Sequence, residues 1–540
     1  MSLTRQKAGN LTYKNDGTGA VVRTLKDKLG ETVSVKDFGA VGDGVTDDTA
    51  AIQAAIDYAE SLAAFNKPTV FIPVGNYAIT ELILKTQVSI IGEDWRNTRL
   101  TGTGASGTKM MKATPSVTLG GAIQSVENLT FIPSGVQSIH GIDLTDATNV
   151  NGIFFDRLWF NNVDKAIQVG DVATGASFGD LWFGRIVVEL SNDAVVLQNG
   201  DDVHFEDLLS FKNDTYALRL DTVKDFQLSR FRCTETGGVN STQYAVLIDT
   251  CERVNLISSQ ISQLVASNRP SGRLCSIVSS SQVNVSNFEW SGANGTAIDT
   301  SLGLSITGTS SDLNFVNGRI SNIIDIDTGD GIFLGDNTNP ISRCKFVNVH
   351  TQTTGGRGIK QNNNVELELV NCTTDEPMVG SVAATRAGWD LRSNGKTKVI
   401  GGQVTGSNIT AGHGVHCGSD DEIKLIGVTA GDGITATGDI RVFVEDCDTL
   451  GNGNLAQTIT ATINTGAITA GATYSTSLTL TGAKLGDCIL YGVGTTTFGA
   501  LQITVRIGTT DTVDIEIHNP TGGTITPSSS TWYFKLKKLA

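Results

Sequence analysis

No C-x-x-C pair occurs among the eight cysteines, so neither a zinc cage nor a redox dithiol is expected, and no metal or cofactor is assigned. No stretch of 18 apolar residues appears, so no membrane insertion is expected. The first ten residues are polar, carry Arg5 and Lys7 and hold no apolar run, which argues against a secretory signal or an anchor. Cationic excess is also missing: 40 Lys and Arg face 55 Asp and Glu, for a net charge of −15. That balance argues against nucleic acid as a partner, since phosphate binding needs a basic footprint. Proline is scarce at 9 residues against 61 glycines, and Ser, Thr, Asn, Val and Ile recur throughout, which favours β-structure with tight turns.

What is present is a repeat. A segment of small, apolar, any, apolar residues begins at Gly141-Ile142-Asp143-Leu144. It returns at Ala166, Ala194, Ala217, Ala245, Ser276, Gly303, Gly331, Gly358, Gly388, Gly414 and Gly433, which with Gly141 makes twelve occurrences at spacings of 19 to 31 residues. A second segment interleaves with it, as in Val203-His204-Phe205 to Leu208, Phe226 to Phe231 and Val283 to Phe288. Both alternate with period two, so each is a strand with one face inward. Strands this short cannot bury their inner faces alone and must stack as solenoid coils. The fold class expected is all-β, a right-handed parallel β-helix over residues 33–454, the hand following from crossover chirality. Asn287, Asn317, Asn348 and Asn371 precede the last apolar position of the second strand, where Asn suits a left-handed bend.

Residues 46–65 are the one good helical segment, with Thr46 or Asp47 as N-cap and Ile52, Ile56, Ala59 and Leu62 on one face. It is expected to cap the solenoid. From Ala456 the repeat stops, and Thr-rich alternating runs such as Thr458 to Ile463 and Val513 to His518 suggest a small β-sandwich over 455–540.

The run Val33 to Thr49, containing Asp37-Phe38-Gly39-Ala40-Val41-Gly42-Asp43-Gly44, followed by Val70-Phe71-Ile72-Pro73-Val74-Gly75-Asn76-Tyr77, resembles the opening motif of pectate-lyase-like β-helix proteins. Upstream, Leu11-Thr12-Tyr13 to Val21 with Leu25 and Leu29 is similar to the virion-attachment segment of bacteriophage tailspikes. The tailspike resemblance implies an attachment segment at 1–32 joining a tail or adaptor protein, a C-terminal trimerisation or carbohydrate-binding module, and a homotrimer. It also implies residence on the virion after synthesis in the host cytoplasm, and action on a bacterial surface polysaccharide, capsule or O-antigen. Asp43, Asp47 and Asp48 lack the spacing of a calcium loop and read as a structural start of the fold. Gly412-His413-Gly414, Arg357 to Lys360 and Asp420-Asp421 resemble polygalacturonase motifs but stand in the reverse order, so a pectin mechanism is not supported.

Strand alternation places Arg232, Gln260, Glu289, Arg319 and His350 in one outward column, with Trp290 beside it. Glycoside hydrolysis uses two carboxylates, so Glu289 and Glu235 are the expected catalytic pair. Arg232, Arg319, Trp290 and His350 are the expected substrate contacts, the indole as a stacking platform. Elimination would instead need a base and a group neutralising a uronate, which His350 with Arg319 could supply. A binding-only tailspike shares every one of these features. Lys360, Asp390 and His416 form a second outward column suited to a sugar carboxylate or to acid–base work.

Overall fold

Alternation of large apolar with polar residues dictates the strands, and the pairing register shows how they stack. The computed structural model describes residues 11–62, 67–115, 118–119, 124–135, 138–234, 244–262, 273–292, 302–323, 329–336, 338–362, 364–375, 377, 387–392, 396–405, 413–418, 422–430, 434–437, 441–445, 456–463, 465–480, 488–493, 501–527 and 530–537. They group into two compact units that divide between Glu289 and Trp290. Both are built from coils of right-handed parallel β-helix.

In the first unit, Ile142, Ile167, Val195, Leu218 and Val246 follow one another in parallel register. On the second strand of each coil Phe155, Phe183 and Phe205 do the same, their rings stacked at 5.1 and 4.0 Å between centroids. These side chains are buried, and similar shapes recurring from coil to coil pack on one another. The second unit repeats the design with Ile332, Ile359, Trp389 and Val415, and with Phe315 stacked on Phe346 at 4.7 Å.

Each coil must turn between strands, and the turns use left-handed backbone. Asn287, Asn317, Asn348 and Asn371 have φ of 54°, 55°, 52° and 50°, as their residue type predicted. Asn348 Nδ2 also donates to Asn317 Oδ1 at 3.1 Å. A second bend is left-handed at Asp180, Asp202, Asp225, Arg253 and Gln282 in the first unit, and at Asp312 and Arg343 in the second.

The opening motif differs from expectation in one detail. Helix Thr49–Ser61 starts three residues later than predicted, because Asp43–Asp47 is a strand. Its N-cap is Asp48, whose carboxylate is turned away to accept the Val41 and Gly42 N–H groups at 2.6 and 2.9 Å. Asp43 and Asp47 likewise bond neighbouring N–H and hydroxyl groups of Val45, Thr46 and Thr49. Gly42 has φ +68°, and a Cβ there would stand 2.8 Å from the Tyr77 ring. Ile52, Ala55, Ile56 and Ala59 are buried, while Leu62 is half-buried.

Residues 456–537 form two three-stranded antiparallel sheets, around a core that includes Ile463, Val513, Ile515, Ile517 and Phe534. Near the N-terminus, Thr12–Tyr13 pairs with Arg23–Thr24 ahead of helix Leu25–Leu29, and Val21, Val22 and Leu29 are more than 60% exposed.

Candidate active site

The column expected to carry chemistry is outward in both units. Arg232 faces Gln260 in the first unit and Arg319 faces His350 in the second. Arg232, Gln260, Glu289 and Arg319 are exposed. Trp290 corrects the expectation: it falls on the inward phase of the Ser281–Ser291 strand and is 0% exposed, so no ring face is open to a sugar. Glu235 lies outside the described residues. Arg319 donates to Gln352, and His350 contacts Thr373 through Nδ1. Burial, then the Arg319 charge, pushes the His350 imidazole below its ordinary value, so it is neutral at pH 7.

Lys360, Asp390 and His416 stand in register on three successive strands, as alternation predicted. Asp390 is nevertheless only 2% exposed, because cations close over it. Arg357 Nε lies at 2.8 Å, Arg392 Nε at 2.9 Å and His416 Nδ1 at 3.0 Å. Burial alone would raise this carboxyl, but the His416 hydrogen bond and the Arg357 and Arg392 charges outweigh it and hold it at about 2. Lys360 Nζ is 3.8 Å from Asp330 and 5.0 Å from the Phe333 ring centroid, and burial lowers its ammonium below the usual lysine range.

A third column, in the first unit, was missed by the sequence reading. Lys109 faces His140 on one pair of strands, and Lys165 faces Asp193 on another. His140 is held from both sides, Nδ1 at 2.6 Å from Asp143 and Nε2 at 3.0 Å from Asp164. Burial disfavours its cation, but those two hydrogen bonds prevail and raise it to about 9. The His140 bond in turn lowers Asp164, which stays ionised. Asp193 lies on the adjacent coil, its N–H donating to the Asp164 carbonyl at 2.9 Å. Burial pushes the Asp193 carboxyl up to about 6; Lys165 opposes the rise and the Asp164 charge adds to it. Its Oδ1 is buried with no hydrogen-bond partner among the described residues. A signal existed in the sequence: His140, Lys165, Asp193, Tyr216 and Tyr244 each stand immediately before the small residue that opens a repeat.

Comparison with known proteins bears on what such a solenoid is. The family model "Rhamnogalacturonase A/epimerase, pectate lyase-like" matches residues 32–230. The tail spike protein of Shigella phage Sf6 is 30% identical over 173 residues, 31% of this chain and 26% of that protein. Part of the chain is thus similar to pectate-lyase-like proteins and to a phage tail spike protein, and its fold is a parallel β-helix. Mannuronan C5-epimerase AlgE3 of Azotobacter vinelandii is 29% identical over 236 residues, 38% of this chain and 12% of the epimerase. The tailspike-like chain thus spans about a quarter or less of the length of these relatives. A tailspike mutant of E. coli bacteriophage HK620 aligns over 98% of both chains, at 13% identity and a TM-score of 0.40.

Within this tailspike-like β-helix, Asp164 and Asp193 are two carboxyl groups on neighbouring coils with opposite environments. One is clamped ionised by an imidazolium, and the other is desolvated so that it keeps its proton up to about pH 6. A pair driven apart in this way divides into a proton donor and an anion.

Proposed function

We propose that this chain is a phage tailspike that binds a bacterial surface polysaccharide, capsule or O-antigen, and cuts it by glycoside hydrolysis at Asp193 and Asp164. The observation that carries the reading is the adjacent-coil pair of one raised and one lowered carboxyl. Asp193 gives its proton to the glycosidic oxygen as that bond breaks, while the Asp164 carboxylate bonds the anomeric carbon. Water then attacks that carbon and releases Asp164, and Asp193, now the base, takes the water's proton. Lys165 and Arg219 add positive charge beside the pair, which suits a sugar carrying an acidic group. Reducing-end release from purified host polysaccharide tests this directly. Turnover by hydrolysis should fall as pH rises through about 6, where Asp193 loses its proton. A rise in absorbance near 235 nm without a pH limb there would identify elimination instead.

A second reading, elimination in the second unit, is favoured by the lowered Lys360 ammonium beside Arg357 and Arg392, a base next to cations that could neutralise a uronate. The same reading of the chain as a tailspike includes a parallel homotrimer, carriage on the phage tail and attachment through residues 1–32. The exposed Val21, Val22 and Leu29 support that last element, as apolar groups available to a tail or adaptor protein.

A further inference from the structure

Among the described residues, Trp182 is the exposed tryptophan, 47% accessible on the outward face of the Ser177–Glu189 strand. One ring face packs on His204 of the next coil, with centroids 4.3 Å apart and planes 20° from parallel. The indole N–H is fixed by Asp180 at 2.7 Å and the imidazole Nε2 lies 3.0 Å from Asp202, so both rings are oriented. Leaving an indole half in water forgoes a large apolar burial.

The column continues from His204 to Gln227, Asn255 and Asn284, in register on successive coils. A cleft of about 510 Å³ opens along it, lined by Asp202, His204, Asp225, Gln227, Arg253 and Asn255 among others. Arg253 and Asp225 are committed to each other through two bonds of 2.5 and 2.8 Å and Asp202 to His204, which leaves Gln227 and Asn255 as the amides lining the space. Carboxylates accept from hydroxyl groups, and each amide both donates and accepts. An aromatic plate followed by such groups matches a sugar ring, apolar on one face and hydroxylated at its edge. With Asp201, Asp202 and Asp225 against Arg253, the cleft is anionic and repels uronates and phosphates.

We propose that this cleft is a non-catalytic subsite for uncharged sugar residues of a polysaccharide, with Trp182 as its stacking plate. It rests on the reading that the chain acts on polysaccharide, and it lies on a different strand face from Asp193. Its place is to hold the glycan chain between cuts. The experiment is retention on an array of bacterial glycans with neutral and uronate-bearing repeat units, using full-length protein carrying Asp193→Asn. Neutral glycans should be retained, Trp182→Ala on that background should weaken retention at least tenfold, and Trp182→Tyr should restore most of it. Trp fluorescence should shift when a retained neutral glycan is added, and the shift should vanish in Trp182→Ala. Equal retention by Trp182→Ala of every glycan the protein holds, or no retention, would overturn the proposal. Reducing-end release by the wild-type protein is scored separately. Retention without release defeats the hydrolase reading and leaves the subsite standing, and release without Trp182-dependent retention does the reverse.

Discussion

Each unit is built on the same kind of interior, and the two differ in what they show to solvent. Both stack phenylalanines coil on coil and turn on left-handed Asn or Asp, because the coil path fixes which positions face in and which must bend. Outside, the first unit carries Trp182, His204, Gln227 and Asn255 beside an aspartate ladder. The second unit carries Lys345, Glu368, Lys398 and Lys424 in register, around a cleft of about 410 Å³ that Arg343, Glu366 and Lys396 also line. One architecture thus supports an anionic, aromatic groove and a lysine-rich one. A solenoid leaves every outward position free to vary so long as the inward one is kept.

The largest effect expected tests the shared interior. Phe183→Ala and Phe346→Ala should each cost about 3–5 kcal/mol by denaturant unfolding, the range for deleting a buried aromatic ring. A loss confined to one unit's variant would break the equivalence. Next comes the contrast between surfaces. Asp193→Asn should lower turnover at least a hundredfold and also raise the thermal midpoint at pH 8 relative to pH 4. The second effect follows because a carboxyl raised to about 6 takes up a proton on folding, so its cost grows as pH rises from about 4 to 6. An unchanged midpoint at pH 8 would show that Asp193 is not desolvated.

The pH limits of the two clusters should also differ. His140, raised to about 9, contributes stability fully below its ordinary value near 6.5 and loses it as pH rises through 9. Asp390, lowered to about 2, contributes above its ordinary value near 3.8 and loses it as pH falls through 2. Hydrogen exchange should therefore show the Lys165–Val169 strand loosening first in alkali and the Ala387–Arg392 strand first in acid. A reversed order would sink the assignment. Smaller still, Asn348→Ala should cost about 1 kcal/mol for left-handed backbone, with Asn348→Gly milder. Smallest of all, Glu289→Gln should change turnover less than twofold. A hundredfold fall there would return catalysis to the exposed column first read from the sequence.

The interior was legible because its rule is simple. Period-two alternation recurring at each coil gave the strands, the inward residues and the bends at Asn287 to Asn371. It also gave the register of Lys360, Asp390 and His416. The site was less legible, since alternation says which way a side chain starts but not what covers it. Asp390 starts outward and ends buried under Arg357 and Arg392. Trp290 was read one phase out, a single-residue slip that turns a surface plate into core. Asp193 stayed hidden because its pairing with Asp164 runs between coils 29 residues apart, and because desolvation leaves no mark on residue type.

The six described buried cysteines have a consequence for durability. Oxidation needs a thiolate and access, and burial withholds access from Cys233, Cys251, Cys275, Cys344, Cys372 and Cys417. It pushes Cys251 up to about 12, and Cys275 and Cys344 higher still. A chain made in a reducing cell and then carried into air would keep these sulfurs as inert filling, neither cross-linking with neighbours nor ageing to sulfonate. At these six positions oxidation is then set by how seldom a coil opens rather than by the oxygen around them.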